Sequence, residues 1–281
     1  MDIIEKVILG AVQGLTEFLP VSSTGHLAIT PWLLSWKDPG LPFDVALHLG
    51  SLIAIIYYFW KDLVLIIKEF FSGVSRGTFK NLPNGRIGLF IIIATIPAAV
   101  VGFLFEQYAS SELRNPLLIA FSLSSFGVLL FVADRSSNNS KSLDKMSLID
   151  CIIIGVSQCF AIIPGASRSG VTITGALFIG YKRDESAIFS FLLAAPIIAG
   201  AGIFEARHLE LSEVLGTPFV LGMVTSTIFS FLSIKYLLAF IRRQRYTVFV
   251  VYRIALALVL VLLYFMRNNQ GYFIPITGLV N

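Results

Sequence analysis

Charge is scarce in this sequence. Asp, Glu, Lys and Arg make up 14% of its 281 residues, where a soluble domain carries about a quarter. Hydrophobic residues supply 56%, and the mean hydropathy is +0.82. A water-soluble fold could not hide so much apolar side chain beneath so little polar residue. Cysteine is nearly absent too: Cys151 and Cys159 stand in an apolar stretch with no partner at metal-ligand spacing, which excludes a Cys/His zinc site and leaves them as buried packing residues. No Gly-rich nucleotide loop is present, and nothing implies nucleic acid as a partner. Met1 to Gly10 lacks a small-residue cleavage site and does not read as a removable signal peptide. The charges do not gather in one half, so residues 1–281 read as a single membrane domain.

What is abundant is long apolar segments. Six can span about 30 Å of hydrocarbon as helices: Phe43–Trp60, Ile87–Phe105, Pro116–Ala133, Ala187–Phe204, Phe219–Phe240 and Thr247–Met266. Two others are interrupted: Ile3–Trp36 by Pro20–His26, and Leu148–Ile179 by Pro164–Gly170. Their arms are too short to cross alone and suit re-entrant hairpins. Irregular backbone at membrane depth is tolerated only where protein or a water-filled cavity surrounds it, so the polar tips imply a cavity.

Loop charges orient the chain. Between spans one and two, Lys61, Lys68, Arg76, Lys80 and Arg86 outweigh Asp62 and Glu69 by three. Arg242, Arg243 and Arg245 follow span five without an acid. Acids outnumber bases in the other two loops: Glu106 and Glu112 against Arg114, and Glu205, Glu210 and Glu213 against Arg207. Basic loops stay cytoplasmic, which places both termini outside. The first hairpin then enters from outside and the second from the cytoplasm.

The halves also echo each other. Gly10, Gln13 and Pro20 find counterparts in Gly155, Gln158 and Pro164 at offsets of 145, 145 and 144, and Ser23 matches Ser167 at 144. Each half, 1–134 and 148–266, reads as one hairpin plus three spans. Three is odd, so the repeats run in opposite senses and bring their broken helices together at the midplane. The fold expected is thus an all-α polytopic membrane protein with inverted-topology repeats, six transmembrane helices and two re-entrant helical hairpins.

The first tip reads Gln13-Gly-Leu-Thr-Glu17-Phe-Leu-Pro20-Val-Ser22-Ser23-Thr24-Gly25-His26. Gln13 and Glu17 are four apart and share a helical face. Pro20 ends that arm, and Ser22, Ser23 and Thr24 suit the start of the next, whose first N–H groups are left free. A capped turn with one stray Glu is the bland alternative, but ionisable groups inside a bilayer are costly and usually functional. The second tip reads Pro164-Gly165-Ala166-Ser167-Arg168-Ser169-Gly170-Val171-Thr172. Gly165 and Gly170 let backbone approach a ligand, Ser167 and Ser169 offer hydroxyls, and Arg168 offers a fork matched to phosphate oxygens. A helix starting here turns its positive end to the loop. Arg168 could instead pair with Glu17 merely to join the hairpins, although a buried ion pair gives little net stability. The inventory suits a phosphate group with a divalent cation. Asp44 and His48, four apart, either line the cavity mouth or sit at the interface. Lys235 and Arg253, near the cytoplasmic ends of their spans, read as snorkelling.

The two motifs resemble those of the undecaprenyl-diphosphate phosphatase family of the BacA/UppP type, with its (E/Q)-x-x-x-E run into P-V-S-S-T-G-H and its P-G-x-S-R-S-x-x-T. Phe43–Ser51, Phe189–Pro196 and Tyr252-Arg253 are further echoes. The resemblance implies a bacterial cell-membrane enzyme that takes the terminal phosphate from undecaprenyl diphosphate, leaving the carrier lipid for cell-wall synthesis. It implies Glu17, Ser23, His26 and Arg168 as catalytic residues, with Gln13, Ser22, Thr24, Gly165, Ser167, Ser169 and Thr172 holding substrate. Gln13 replaces the commoner first Glu, so a cation, Mg²⁺ or Ca²⁺, must lean on Glu17 and the substrate's own oxygens. His26 is favoured slightly over Ser23 as the centre of the chemistry, as nucleophile or as base. A transporter or flippase of a phosphorylated isoprenoid lipid is the rival reading. Whether the chain forms homo-oligomers is left open.

The loop charges make a topological prediction. Single cysteines at Ser75 and Ser212, in a chain without Cys151 and Cys159, should differ in labelling by an impermeant thiol reagent on intact cells, Ser212 reacting and Ser75 not. Equal labelling of both would rule out the expected orientation.

Overall fold

The computed structural model describes residues 3–110, 115–205 and 216–269, and these are helical throughout apart from turns and one short bridge between Lys141 and Tyr181. In chain order the α-helices are α1 (Ile3–Phe18), α2 (Ser23–Leu34), α3 (Leu41–Tyr58), α4 (Trp60–Arg76), α5 (Pro83–Ser110), α6 (Pro116–Ser136), α7 (Leu148–Gln158), α8 (Arg168–Phe178), α9 (Arg183–Glu205), α10 (Thr217–Ile241) and α11 (Thr247–Asn269). Five are long and apolar enough to cross a membrane: Pro83–Phe105, Pro116–Ser136, Arg183–Phe204, Thr217–Ile241 and Thr247–Asn268. A sixth span results if α3 and α4, bent by 81° at Phe59, count together. Large apolar side chains face outward along them, Phe103, Phe121 and Ile203 among the most exposed, as a lipid solvent permits. Glu112, Arg114, Arg207, Glu210 and Glu213, used above to sign the loops, and Ser212, the outer labelling position, lie outside the described residues.

The first span departs from expectation. It ends at Tyr58, not Trp60, and what the charges mark as a loop is mostly α4. The cause is an apolar stripe at helical spacing, Leu63, Ile66, Phe70 and Gly73, laid against α5, with Lys61, Lys68 and Arg76 on other faces. Glu69 finishes the corner by accepting hydrogen bonds from the backbone N–H groups of Asn84 and Gly85, at the start of α5.

Two helix–turn–helix units, α1–α2 and α7–α8, meet at their turns, while α1 and α7 each keep an exposed apolar face. α1 packs on α10 and α3, α7 packs on α5, α8 sits between α6 and α9, and α11 lies along α6. Small residues permit the closest of these approaches. A Cβ on Gly10 would stand 2.3 Å from the carbonyl oxygen of Gly222, and one on Gly14 2.5 Å from that of Ser226. On the other side, a Cβ on Gly155 would meet the Ala94 carbonyl of α5 at 2.7 Å. These backbone contacts fix the height and rotation of α1, and hence where Gln13 and Glu17 project. α2 is seated differently, by side chains: Ala28 and Ile29 pack with Ile119 and Leu123 of α6 and with Ala257 and Leu260 of α11.

Candidate active site between two helix N-termini

Both breaks end in a serine with the same unusual backbone. Ser22 has φ 74 and ψ 93, Ser167 φ 74 and ψ 115, a region L-residues seldom enter. Each caps the helix that follows: Ser22 Oγ accepts from the Gly25 N–H at 3.2 Å, and Ser167 Oγ from the Gly170 N–H at 3.1 Å. The structural counterpart of Ser167 is therefore Ser22, and the sequence pairing of Ser23 with Ser167 is off by one. Ser22 and Ser167 keep the offset of 145 seen for Gln13 and Gln158, and it is Pro164 that stands one residue early, followed by Gly165 at φ +93. Ser23 corresponds to Arg168, so each cap is followed by a polar side chain that reaches Glu17.

The turns bind one another. The Gly165 N–H donates to Ser22 Oγ at 3.1 Å, and Ser169 Oγ donates to the Leu19 carbonyl at 3.1 Å. Across this junction Glu17 collects its partners. Arg168 Nη2 donates to Glu17 Oε1 at 2.7 Å, while Glu17 Oε2 accepts from Ser23 Oγ at 2.5 Å and Gln13 Nε2 at 3.0 Å. His48 Nε2 lies 3.5 Å from Oε2. A second nitrogen of Arg168, Nη1, donates to the Ser190 carbonyl of α9 at 2.9 Å, and Ser190 Oγ is 2.7 Å from Thr172 Oγ1. Phe18 packs edge-on to Phe191, ring centroids 5.0 Å apart, and holds the end of α1 against α9.

A cavity of about 360 Å³, within the range of small-ligand pockets, opens beside this junction. Its polar wall is Glu17, Ser23, Thr24, Asp44, His48, Gln158, Ser167 and Arg168. The even choice for Asp44 and His48 thus resolves toward the cavity. Gln13, Ser22, Gly165, Ser169 and Thr172 stand behind that wall, supporting it. A second space of about 430 Å³ adjoins the first, shares Val45, Ala98, Gly102, Ile197 and Ala201 with it, and is almost wholly apolar. A chamber with one polar wall thus continues into an apolar groove between α5 and α9.

His26 is placed otherwise than the sequence suggests. Its Nδ1 lies 2.7 Å from the Ser22 carbonyl, which can only accept, so Nδ1 carries the proton. Nε2 of the neutral ring then accepts from the Tyr252 hydroxyl at 2.6 Å, and the two rings lie parallel, 9° apart. These are the hydrogen bonds described for the ring, and neither goes to Ser23. Arg253 is a plain correction: it does not snorkel but is fully buried, bonded to carbonyls of both turns. Lys235 is exposed beside the Tyr236 ring. Cys151 is buried and Cys159 half-buried at the cavity edge, both as free thiols.

The donors fit a cation only in part. Among the described residues no three His, Cys, Asp or Glu side chains gather as a metal set. The amide oxygens of Gln13 and Gln158 are buried and have no hydrogen-bond partner, as has that of Asn139 away from the site. Oxygens of this kind are the donors a hard cation takes.

Comparison with known proteins gives the chain a family. Residues 6–259 match the family described as bacitracin resistance protein BacA. The chain is 45% identical over 268 residues to the undecaprenyl-diphosphatase of Moorella thermoacetica, covering 95% of this chain and all of that protein. It is 44% identical to that of Geotalea daltonii, over 91% of this chain and 96% of the relative, and 43% identical to that of Geobacter sulfurreducens, over 90% and 95%. A match of this extent and closeness leaves one assignment: the chain belongs to the BacA family of undecaprenyl-diphosphatases.

Proposed function

We infer that this membrane protein is an undecaprenyl-diphosphatase, hydrolysing undecaprenyl diphosphate to undecaprenyl phosphate and inorganic phosphate and so returning the carrier lipid to bacterial cell-wall synthesis. Relatives of that name match it over nearly their whole length. One observation supports the chemistry: a serine hydroxyl directed at a carboxylate, beside an arginine, on the polar wall of a chamber that runs into an apolar groove.

In the mechanism we propose, the diphosphate enters the chamber with its isoprenoid chain along the groove. The terminal phosphoryl oxygens take the free N–H edge of Arg168 and the amide ends of α2 and α8, which point their positive poles at the site. Ser23 Oγ attacks the terminal phosphorus as its proton passes to Glu17, the bond from phosphorus to the bridging oxygen breaks, and Glu17 gives that proton to undecaprenyl phosphate as it leaves. Glu17, again a carboxylate, takes a proton from water as the water attacks the phosphoserine, then returns it to Ser23 Oγ as inorganic phosphate is released. Phosphoryl transfer is mainly positioning and charge stabilisation. That is what the Arg168–Glu17–Ser23 contact provides, so their ion pair is more than glue. His26 acts here by orienting the Ser22 turn. Mg²⁺ or Ca²⁺, held by Glu17 and the Gln13 and Gln158 amide oxygens, would neutralise phosphate charge.

Inverted repeats are the architecture we propose beneath this site. The twin serine caps support it, as do the matched glycine contacts of α1 on α10 and of α7 on α5. The loop charges support termini on the outside.

Three experiments test the reading. Purified protein in detergent should release phosphate from undecaprenyl diphosphate, and Arg168→Lys should lower kcat by about 100-fold with the fold intact, since an ammonium keeps charge but loses the fork. A transporter without chemistry would release none, and an active Lys variant would make Arg168 structural. Second, rapid acid quench should trap phosphate on Ser23, with Ser23→Ala losing more activity than His26→Ala. Label on His26, or a dead His26→Ala beside an active Ser23→Ala, would hand the attack to the imidazole. Third, Gln13→Glu should remain active and need less Mg²⁺ or Ca²⁺ for half-maximal rate. An unchanged cation requirement would place Gln13 outside any metal shell.

A further inference from the structure

We propose that Arg253, together with Tyr252, is a positioning element for catalysis: a brace on α11 that holds the two turns where Glu17, Ser23 and Arg168 can meet. The proposal rests on the phosphatase reading and extends it to residues that do not line the cavity.

Arg253 is fully buried, and every hydrogen bond described for it goes to a backbone carbonyl. Nη1 donates to Pro20 of the first turn at 3.0 Å. Nη2 donates to Gly165 at 2.8 Å and Ala166 at 3.1 Å in the second turn, and Nε to Leu123 of α6 at 2.9 Å. One guanidinium thus joins three separate pieces of chain. A buried cation facing only carbonyl dipoles is costly, and an apolar side chain would pack α11 on α6 more simply. What an apolar side chain could not do is satisfy turn carbonyls that lack helical partners at membrane depth. The planar fork reaches several at once, which a lysine ammonium, a point donor, cannot.

The bonded carbonyls are the ones that set the active groups. Pro20 lies two residues before the Ser22 cap and three before Ser23, and Ala166 two before Arg168. Tyr252 adds a second hold on the first turn, through His26 to the Ser22 carbonyl. α11 therefore reaches Ser23 from two directions and Arg168 from one. A third contact supplies an internal comparison. At the far end of α2, Arg267 donates to the Trp32 and Leu33 carbonyls at 2.6 and 3.1 Å. That is the same residue type on the same helix, bonding the same class of acceptor, but remote from both turns.

The test is to purify Arg253→Lys, Arg267→Gln and Tyr252→Phe in detergent and measure melting, kcat and KM on undecaprenyl diphosphate. Arg253→Lys should lower kcat per folded molecule by about 100-fold with KM within about threefold, as a small misplacement of reacting groups does. Arg267→Gln should lower the melting temperature while kcat per folded molecule stays within about threefold. If Arg253→Lys keeps its kcat, or loses no more than Arg267→Gln, Arg253 is scaffold and the proposal falls. Should Arg253→Lys not fold, Tyr252→Phe decides. Loss of its hydroxyl should lower kcat about tenfold and shift the pH–rate profile, because His26 Nε2 loses its donor. An unaltered profile and kcat would overturn the brace. Wild-type protein that releases no phosphate would instead defeat the phosphatase reading itself.

Discussion

The structure turns on one constraint: backbone amides and carbonyls that leave helical geometry inside a bilayer must find partners within the protein. Two breaks in the chain create such groups, at Leu19–Ser22 and Ile163–Ser167. They are satisfied largely by each other and by one arginine, the Gly165 amide on Ser22, the Leu19 carbonyl on Ser169, and the Pro20, Gly165 and Ala166 carbonyls on Arg253. Satisfying them brings two helix N-termini together, and with them Ser23 and Arg168. The meeting of Ser23 and Arg168 on Glu17 thus grows out of a solution to a folding problem.

The same constraint explains the division of labour among the polar residues. Ser22, Ser169 and Gly165 are spent on backbone, and Gln13 and His26 on holding neighbours. Glu17, Ser23, Thr24 and Arg168 are left facing the chamber. A motif of adjacent hydroxyls therefore separates into supports and working groups according to which backbone amides need them.

Much of this was readable in the residues, and the rest was hidden for a definable reason. Pro20 and Pro164 with their glycines and serines mark the breaks, because each residue type has a local conformational preference that acts without tertiary context. Gln13 and Glu17 at a spacing of four show a shared face. Hydropathy, however, reports depth and length, never the direction a side chain takes around the helix. Arg253 and Lys235 look alike on that scale, yet one is at the centre and the other outside. His26 and His48 were distinguishable only once α11 and α3 were in place, since Tyr252 claims the first and the second faces Glu17. Counting charges between spans one and two concealed α4, whose apolar positions recur at helical spacing.

The packing of α1 on α10 and of α7 on α5 also has a mechanical side. Each helix–turn–helix unit is gripped by a long helix from the opposite half of the chain, at distances where even a methyl group would collide. The halves are clasped like linked fingers, so one cannot swing against the other as a rigid block without parting backbone from backbone. A carrier that alternates its opening by rocking two bodies would have to break these contacts and remake them in every cycle.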